Sequence, residues 1–297
     1  MKVEKLNAKN ISAALSLINR TYADVHGFTP LTESDWNVEE SASCFLGFLD
    51  EKLVSIAYGS IVEKDKGHVR WACAQENFRS RCYTLLPMER CINDLKYNGA
   101  KQIRVDSWLD APYRRMLSHF ESKGIHVEHD HLLMRLDMRQ YRRQLPALKS
   151  GYTLRTFRSG DQATWANVKN AVFGSSSEPK EFWKQDFQGV NMTSDFDPEG
   201  FFFAEKGGQP IGICAGLVLH NRQEISGTFP GSIGWTGILE GHRGIGLGRA
   251  LMMSALNYLD DKGIKITEIG TQFYRTAAVN LYESLGFRIH TASFNLL

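Results

Sequence analysis

The strongest constraint on this chain is that its sequence is written twice. Around Trp71 it reads HVRWACAQENFRSRCYTLL, and around Trp235 it reads SIGWTGILEGHRGIGLGRAL. Trp71 and Trp235 stand 164 positions apart, as do Arg79 and Arg243, Gly99 and Gly263, and Lys101 and Lys265. After a two-residue slip, FESKGI at 120–125 falls on YESLGF at 282–287. A period of that size is a whole domain, far longer than the step of roughly 20–45 residues that builds a solenoid. The 297 residues are therefore expected to hold two copies of one fold, which is also what the length suggests. Met134–Met138 reads as a closing strand. The polar, basic run after it, with Pro146 and Gly151, reads as a connector. The expected division is 1–140, a linker at 141–150, and 151–297.

Both halves show the same order of elements. Each opens on an amphipathic helix, Ile11–Thr21 in one and Asp161–Val172 in the other, with apolar residues such as Leu15, Ile18 and Tyr22 at three- and four-residue steps. A hairpin follows. In the second half it is GFFFAEKGGQPIGICAGLVL, with EKGGQP as the turn, and FLGFLDEKLVSIAYGSIV takes that place in the first half. Then come a strand carrying the Trp, a long helix, a short strand, a second helix and a last strand. This mixed order around a hairpin predicts an α+β layer structure.

Composition excludes several classes. With 42% hydrophobic and 23% charged residues, neither disorder nor a stapled mini-fold is expected. A net charge of +2 gives no broad basic field, so no nucleic-acid partner is expected. Arg139, Arg142, Arg143 and Lys149 of the linker read either as a basic patch or as a solvated connector. The 5 cysteines form no CxxC pair and imply a reducing compartment. No signal-type apolar segment opens the chain and no run is long enough to span a bilayer. The expectation is a cytoplasmic protein without a membrane partner, monomeric or homodimeric.

The informative stretch is ILEGHRGIGLGRALMM at 238–253. A β-run ends at Ile238 and Leu239. Arg243, Gly244, Ile245, Gly246, Leu247, Gly248 and Arg249 then lead into a helix. Glycines let the backbone approach a ligand and adopt conformations closed to other residues. Their N–H groups and the positive helix end suit a phosphate, with Arg243 and Arg249 adding charge. The alternative is a plain glycine-rich turn. The stretch is neither a dinucleotide fingerprint nor a P-loop, because no βαβ unit opens the chain and no GK[ST] ends it.

Arg243-x-x-Gly246-x-Gly248, followed by AAVNLYESLGF at 277–287, resembles the GNAT superfamily of N-acyltransferases. The first element is similar to the family's R/Q-x-x-G-x-G/A pyrophosphate motif and the second to its A-x-x-L-Y-x-x-x-G-F motif. The tandem arrangement is similar to that of the mycothiol synthases in architecture only. The resemblance implies two domains, each a mostly antiparallel mixed sheet flanked by helices. It implies acetyl-CoA as co-substrate, with its pyrophosphate on the amides of Gly244–Arg249 and its pantetheine arm along Ile238 and Leu239. It implies that Tyr282 protonates the leaving thiolate after direct attack by an amine, a role suited to a phenol of pKa ~10. Read without the motif, Tyr282 is a core aromatic. Where the family commonly has an Asn, seven residues before the Tyr, this chain has Arg275. Arg275 is a candidate contact to a CoA phosphate, and Asn280, elsewhere on the helix, is a further candidate cofactor contact.

In the first half the counterparts of Gly246 and Gly248 are Cys82 and Thr84, and that of Tyr282 is Phe120. Side chains crowd the phosphate cradle and the proton donor is gone, so this half reads as a degenerate copy. Other groups stay open. HVEHDH at 126–131 reads as a polar strand rather than a metal site, and no metal is expected. Phe182, Trp183 and Phe187 line either a substrate pocket or the core. Cys214 reads as buried in a strand. Glu268, His220 or a water relay are the candidate bases. The expectation is transfer of an acetyl group from acetyl-CoA to a small-molecule amine. The alternatives are a non-catalytic acyl-CoA-binding or sensing protein, and a scaffold built on two inactive domains.

Overall fold

A computed structural model describes residues 1–23, 29–34, 42–108, 113–174, 196–220 and 229–297. They form two compact units. Unit 1 holds residues 1–134, 271–283 and 288–297, and unit 2 holds 135–270 and 284–287.

Unit 1 contains β1 (Lys2–Lys5), α1 (Ile11–Tyr22), β2 (Ala42–Leu49), β3 (Lys52–Glu63), β4 (Lys66–Ala74), α2 (Leu85–Tyr97), β5 (Gln102–Trp108) and α3 (Tyr113–Ser122). It also takes most of β6 (Val127–Asp137) and of the late helix α6 (Thr276–Ser284), and all of β12 (Arg288–Leu296). β1 through β4 pair antiparallel in chain order, β4 and β5 run parallel, and β12 lies antiparallel to β5 from Ile103↔Leu296 to Trp108↔Thr291. Apolar residues of α1 at helical spacing, Ala14, Leu15, Ile18 and Tyr22, pack on Leu46, Ile56 and Cys73 of the sheet. Tyr22 meets Trp71 edge-on at 4.8 Å. On α2, Leu95 and Cys91 close against Gly59, where a Cβ would stand 2.9 Å from a backbone oxygen.

Unit 2 contains β7 (Tyr152–Thr156), α4 (Gln162–Phe173), β8 (Phe201–Lys206), β9 (Gln209–Val218), β10 (Gly231–Ile238), α5 (Leu247–Asp261) and most of β11 (Ile266–Gln272). β7 to β10 are antiparallel neighbours and β10 runs parallel to β11. The hairpin turns at Gly207 (φ +56°) and Gly208 (φ +80°), a left-handed pair that glycine adopts without penalty. Alternation along β9 then separates two faces. Ile213, Ala215 and Leu217 join Trp165, Phe201 and Phe203 under α4. Gly212, Cys214 and Gly216 face the other way, and a Cβ on Gly216 would meet Ala255 and Tyr258 of α5 at 3.0–3.4 Å. Each unit is thus a mixed, mostly antiparallel sheet flanked by helices, the α+β class expected.

The repeat survives in the pairings. Gly67↔Ile103, His68↔Arg104 and Val69↔Val105 in unit 1 become Gly231↔Thr267, Ser232↔Glu268 and Ile233↔Ile269 in unit 2, each shifted by the same 164 positions. Both strands carry one extra residue just beyond, between Val69 and Trp71 and between Gly234 and Gly237. Gly246 has φ +89° and its counterpart Cys82 has φ +56°, so the left-handed turn persists where the glycine does not. A left-handed conformation costs a non-glycine residue about 1–2 kcal/mol. Cys82→Val, which adds β-branching there, is expected to lower stability by about 1–2 kcal/mol in urea unfolding. Cys82→Gly is expected to be close to neutral, because the strain it relieves offsets the looser unfolded chain.

The segment after β6 has no helix or strand, yet it is tied down within unit 2. Tyr141 donates to Asn257 Oδ1 at 2.8 Å, and Asn257 Nδ2 donates to the Gln144 carbonyl at 2.9 Å. Arg143 pairs with Asp261, and Arg139 with Asp137 at 2.8 Å, which neutralises two charges of the candidate basic patch. No helix among the described residues is long and apolar enough to cross a membrane.

A polar clamp anchors α4. Arg155 donates to Glu205 at 2.6 Å and to Asp161 at 2.5 and 3.2 Å, and stacks 4.4 Å over Phe203. Burial pushes the Asp161 carboxyl up, but Arg155 and the Arg158 N–H outweigh it and hold it below its usual range. A carboxyl depressed in the folded state stabilises above its unfolded pKa of ~3.9 and loses that contribution as pH falls through its folded value. Wild type is therefore expected to lose urea stability between about pH 5 and pH 3. Asp161→Asn, less stable at neutral pH, is expected to lose less across that window.

Candidate functional site

The site begins where β10 leaves its neighbour. Pairing with β11 covers Gly231–Ile233 and stops. On the other edge β10 remains bonded to β9 out to Ile238↔Gly212, and the Leu239 N–H reaches the Ile211 carbonyl at 2.8 Å. Beyond Ile233, β10 therefore diverges from β11 while it stays on β9. The extra residue of the bulge falls here, with Trp235 at φ +48°. Bulges bend and re-aim a strand and are common beside functional sites.

Beyond β10, a single 3-10 turn at Glu240–His242 leads to Arg243. The Arg243 Nε donates to the Ile238 carbonyl at 2.9 Å, folding the turn back on the strand end. Gly244 (φ +75°) and Gly246 (φ +89°) follow, both exposed, and a Cβ on either would meet nothing within 4 Å. Gly246 is the N-cap of α5 and no side chain caps the helix. The first N–H groups of a helix have no intrahelical partner, so those of Leu247, Gly248 and Arg249 start α5 beside open space. Leu247 is buried and anchors the turn, while Gly248 and Arg249 are half-buried. Arg249 donates to Ser284 Oγ at 2.8 Å. Ile238 is buried and Ile245 half-buried. A run of left-handed glycines, uncapped N–H groups and two guanidiniums suits an anion with several oxygens, such as a diphosphate.

The motif residues of α6 lie in unit 1. Tyr282 is 6% exposed and Asn280 is exposed. Arg275 accepts from the Val279 N–H at 3.0 Å at the start of α6 and stacks 5.8 Å from the Tyr274 ring. Phe120, the counterpart of Tyr282, is fully buried and packs 6.1 Å from Phe294.

Two candidates for chemistry take structural roles. Glu268, 1% exposed on β11, is gripped by Arg135 Nη2 at 2.6 Å and Nε at 2.7 Å. A carboxylate committed to a buried ion pair gives no base. Cys214 is fully buried beside Thr236 Oγ1 at 3.2 Å, and burial pushes its thiol up to about 12. The thiolate that nucleophilic attack needs is absent at neutral pH. His220 is exposed at the far end of β9. Phe182, Trp183 and Phe187 lie outside the described residues. Val127–Asp137 forms strand β6, and no group of three metal-ligating side chains occurs among the described residues. Sequence reasoning missed the bulge at Trp235 and the back-bond of Arg243. Gly234 and Gly237 flanking the repeated Trp were the available sign of the first.

Residues 165–287 match the family model "Acetyltransferase (GNAT) family". The chain is similar to a protein named mycothiol acetyltransferase from Streptomyces griseus subsp. griseus, 33% identical over 162 residues, covering 52% of this chain and 51% of that one. It is also similar to one of the same name from Thermobispora bispora, 34% identical over 143 residues, covering 48% of each. The chain thus spans about half the length of the curated relatives it matches. Among solved structures it is similar to a GCN5-related N-acetyltransferase from Sphaerobacter thermophilus, with TM-score 0.49 and 20% identity, covering 99% of this chain and 94% of that one.

Proposed function

We propose that residues 151–297 carry an N-acetyltransferase that moves an acetyl group from acetyl-CoA to the amine of a small molecule, with 1–140 a degenerate copy and 141–150 the linker. The observation that supports this most is the exposed Gly244–Gly246 turn, opening onto the uncapped start of α5 next to the stretch of β10 that has left β11. The N–H groups of Gly244 to Arg249 hold the diphosphate, with Arg243 bracing the turn. The pantetheine arm runs along the end of β10 at Ile238 and Leu239. A neutral amine attacks the thioester carbonyl, a C–N bond forms and the C–S bond breaks. Tyr282 gives its phenolic proton to the departing thiolate, and the ammonium proton passes to water. No metal takes part. Arg275 supplies a further contact to a CoA phosphate, and Asn280, exposed on α6, supplies another contact to the cofactor. The name of the curated relatives favours a small-molecule acceptor over a protein.

The test is release of free CoA thiol from acetyl-CoA with a panel of small amines. At least one amine is expected to raise release well above spontaneous hydrolysis. Acetyl-CoA binding with no release for any amine would support the non-catalytic binding reading instead.

A further inference from the structure

At the opposite end of α5 from the glycine turn lies a cavity of about 620 Å³, wholly within unit 2. A helix of 15 residues is roughly 22 Å long at 1.5 Å per residue, so the two places are well separated. The volume is in the range that takes a small organic ligand. Aromatic rings line part of it, from Phe196, Phe229 and Tyr258, with His220 edge-on to Phe229 at 5.1 Å.

One carboxylate stands among these rings. Asp197 is oriented from three directions. Its Oδ1 accepts from the Glu199 N–H at 3.0 Å, and its Oδ2 accepts from the Tyr258 hydroxyl at 3.1 Å and from Lys262 Nζ at 2.8 Å. Burial pushes this carboxyl up, but Lys262 and the other two donors outweigh it and keep it ionised at neutral pH. Lys262 also lies 5.2 Å from the Tyr258 ring centroid. An ammonium on a fixed carboxylate and over an aromatic face is the arrangement that recognises amines. Here the chain supplies that ammonium itself, on a side chain 40% exposed that solvent can draw away.

We propose that this cavity is a binding site for a small organic amine, whose ammonium displaces Lys262 from Asp197 while its hydrophobic part lies among Phe196, Phe229 and Tyr258. An anion is the weaker fit. The charge of Lys262 is already neutralised, and the carbonyl end of α5 favours positive charge. The site is separate from the glycine turn and independent of whether the chain transfers acetyl groups.

The test is calorimetric titration of the full chain with phenethylamine. Saturable binding is expected in wild type, at least tenfold weaker in Asp197→Asn and in Phe229→Ala, and several-fold tighter in Lys262→Met, which removes the internal competitor. A gain of affinity cannot come from misfolding, so the lysine variant keeps the test decisive if Asp197→Asn fails to fold. No saturable binding in wild type or Lys262→Met overturns the proposal. So does binding that is unchanged in both Phe229→Ala and Lys262→Met.

Discussion

Gly246→Val is expected to weaken acetyl-CoA binding by about 100-fold or more and to lower kcat/KM for acetyl transfer by a similar factor. Three physical effects point the same way. The residue sits at φ +89°, where a β-branched side chain is strongly disfavoured, so the turn must re-form in another shape. The added side chain enters the open space above the start of α5, where no protein atom lies within 4 Å and the diphosphate would rest. Reshaping the turn also turns its N–H groups away from the ligand. Hydrogen bonds to charged groups contribute about 1.5–3 kcal/mol each, and about 1.4 kcal/mol is a factor of ten, so loss of one or two gives the expected size. The fold is expected to survive, because nothing packs against this position. Calorimetry with acetyl-CoA reads the affinity. A variant within about threefold of wild type would remove Gly246 from the site.

Tyr282→Phe is expected to lower kcat by about 10²–10³-fold with little change in KM for acetyl-CoA, the size usual for loss of a general acid. Phenylalanine keeps the ring and its packing, and the chain has tried the exchange already: Phe120 fills the equivalent place in the first repeat and is fully buried. The variant therefore separates chemistry from folding. A kcat within a few-fold of wild type, with normal thermal unfolding, would make Tyr282 a core aromatic and leave the departing thiolate to take its proton from water.

Much of what positions the site was legible because it is local. The hairpin turn at Gly207 and Gly208, the helices α1 and α4, and the start of α5 at a left-handed glycine all follow from residue types within a few positions. The repeat was legible too, although the matching bulges of β4 and β10 that it carries were not. What the sequence concealed is non-local. Nothing in RIHTASFNL specifies β5 as the partner of β12, since a strand states its faces by alternation but not its neighbour. Glu268 read as a candidate base because the residue that neutralises it, Arg135, lies 133 positions away in sequence. The basic linker read as a solvated connector or a patch because its acceptors, Asn257 and Asp261, belong to a helix written more than a hundred residues later. Asp197, Tyr258 and Lys262 formed no motif at all, being joined only by the packing of α5 on the start of β8.

The central claim is that the main-chain N–H groups opening α5 hold the diphosphate of acetyl-CoA, and amide NMR reads those groups directly. On titration with acetyl-CoA, the amide signals of Gly246, Leu247, Gly248 and Arg249 are expected to move the most and downfield, as N–H groups do when they bond to phosphate. Acetyl-pantetheine, which lacks the diphosphate, is expected to leave them nearly in place. Saturation with acetyl-CoA that shifts amides elsewhere while these four stay still would contradict the account.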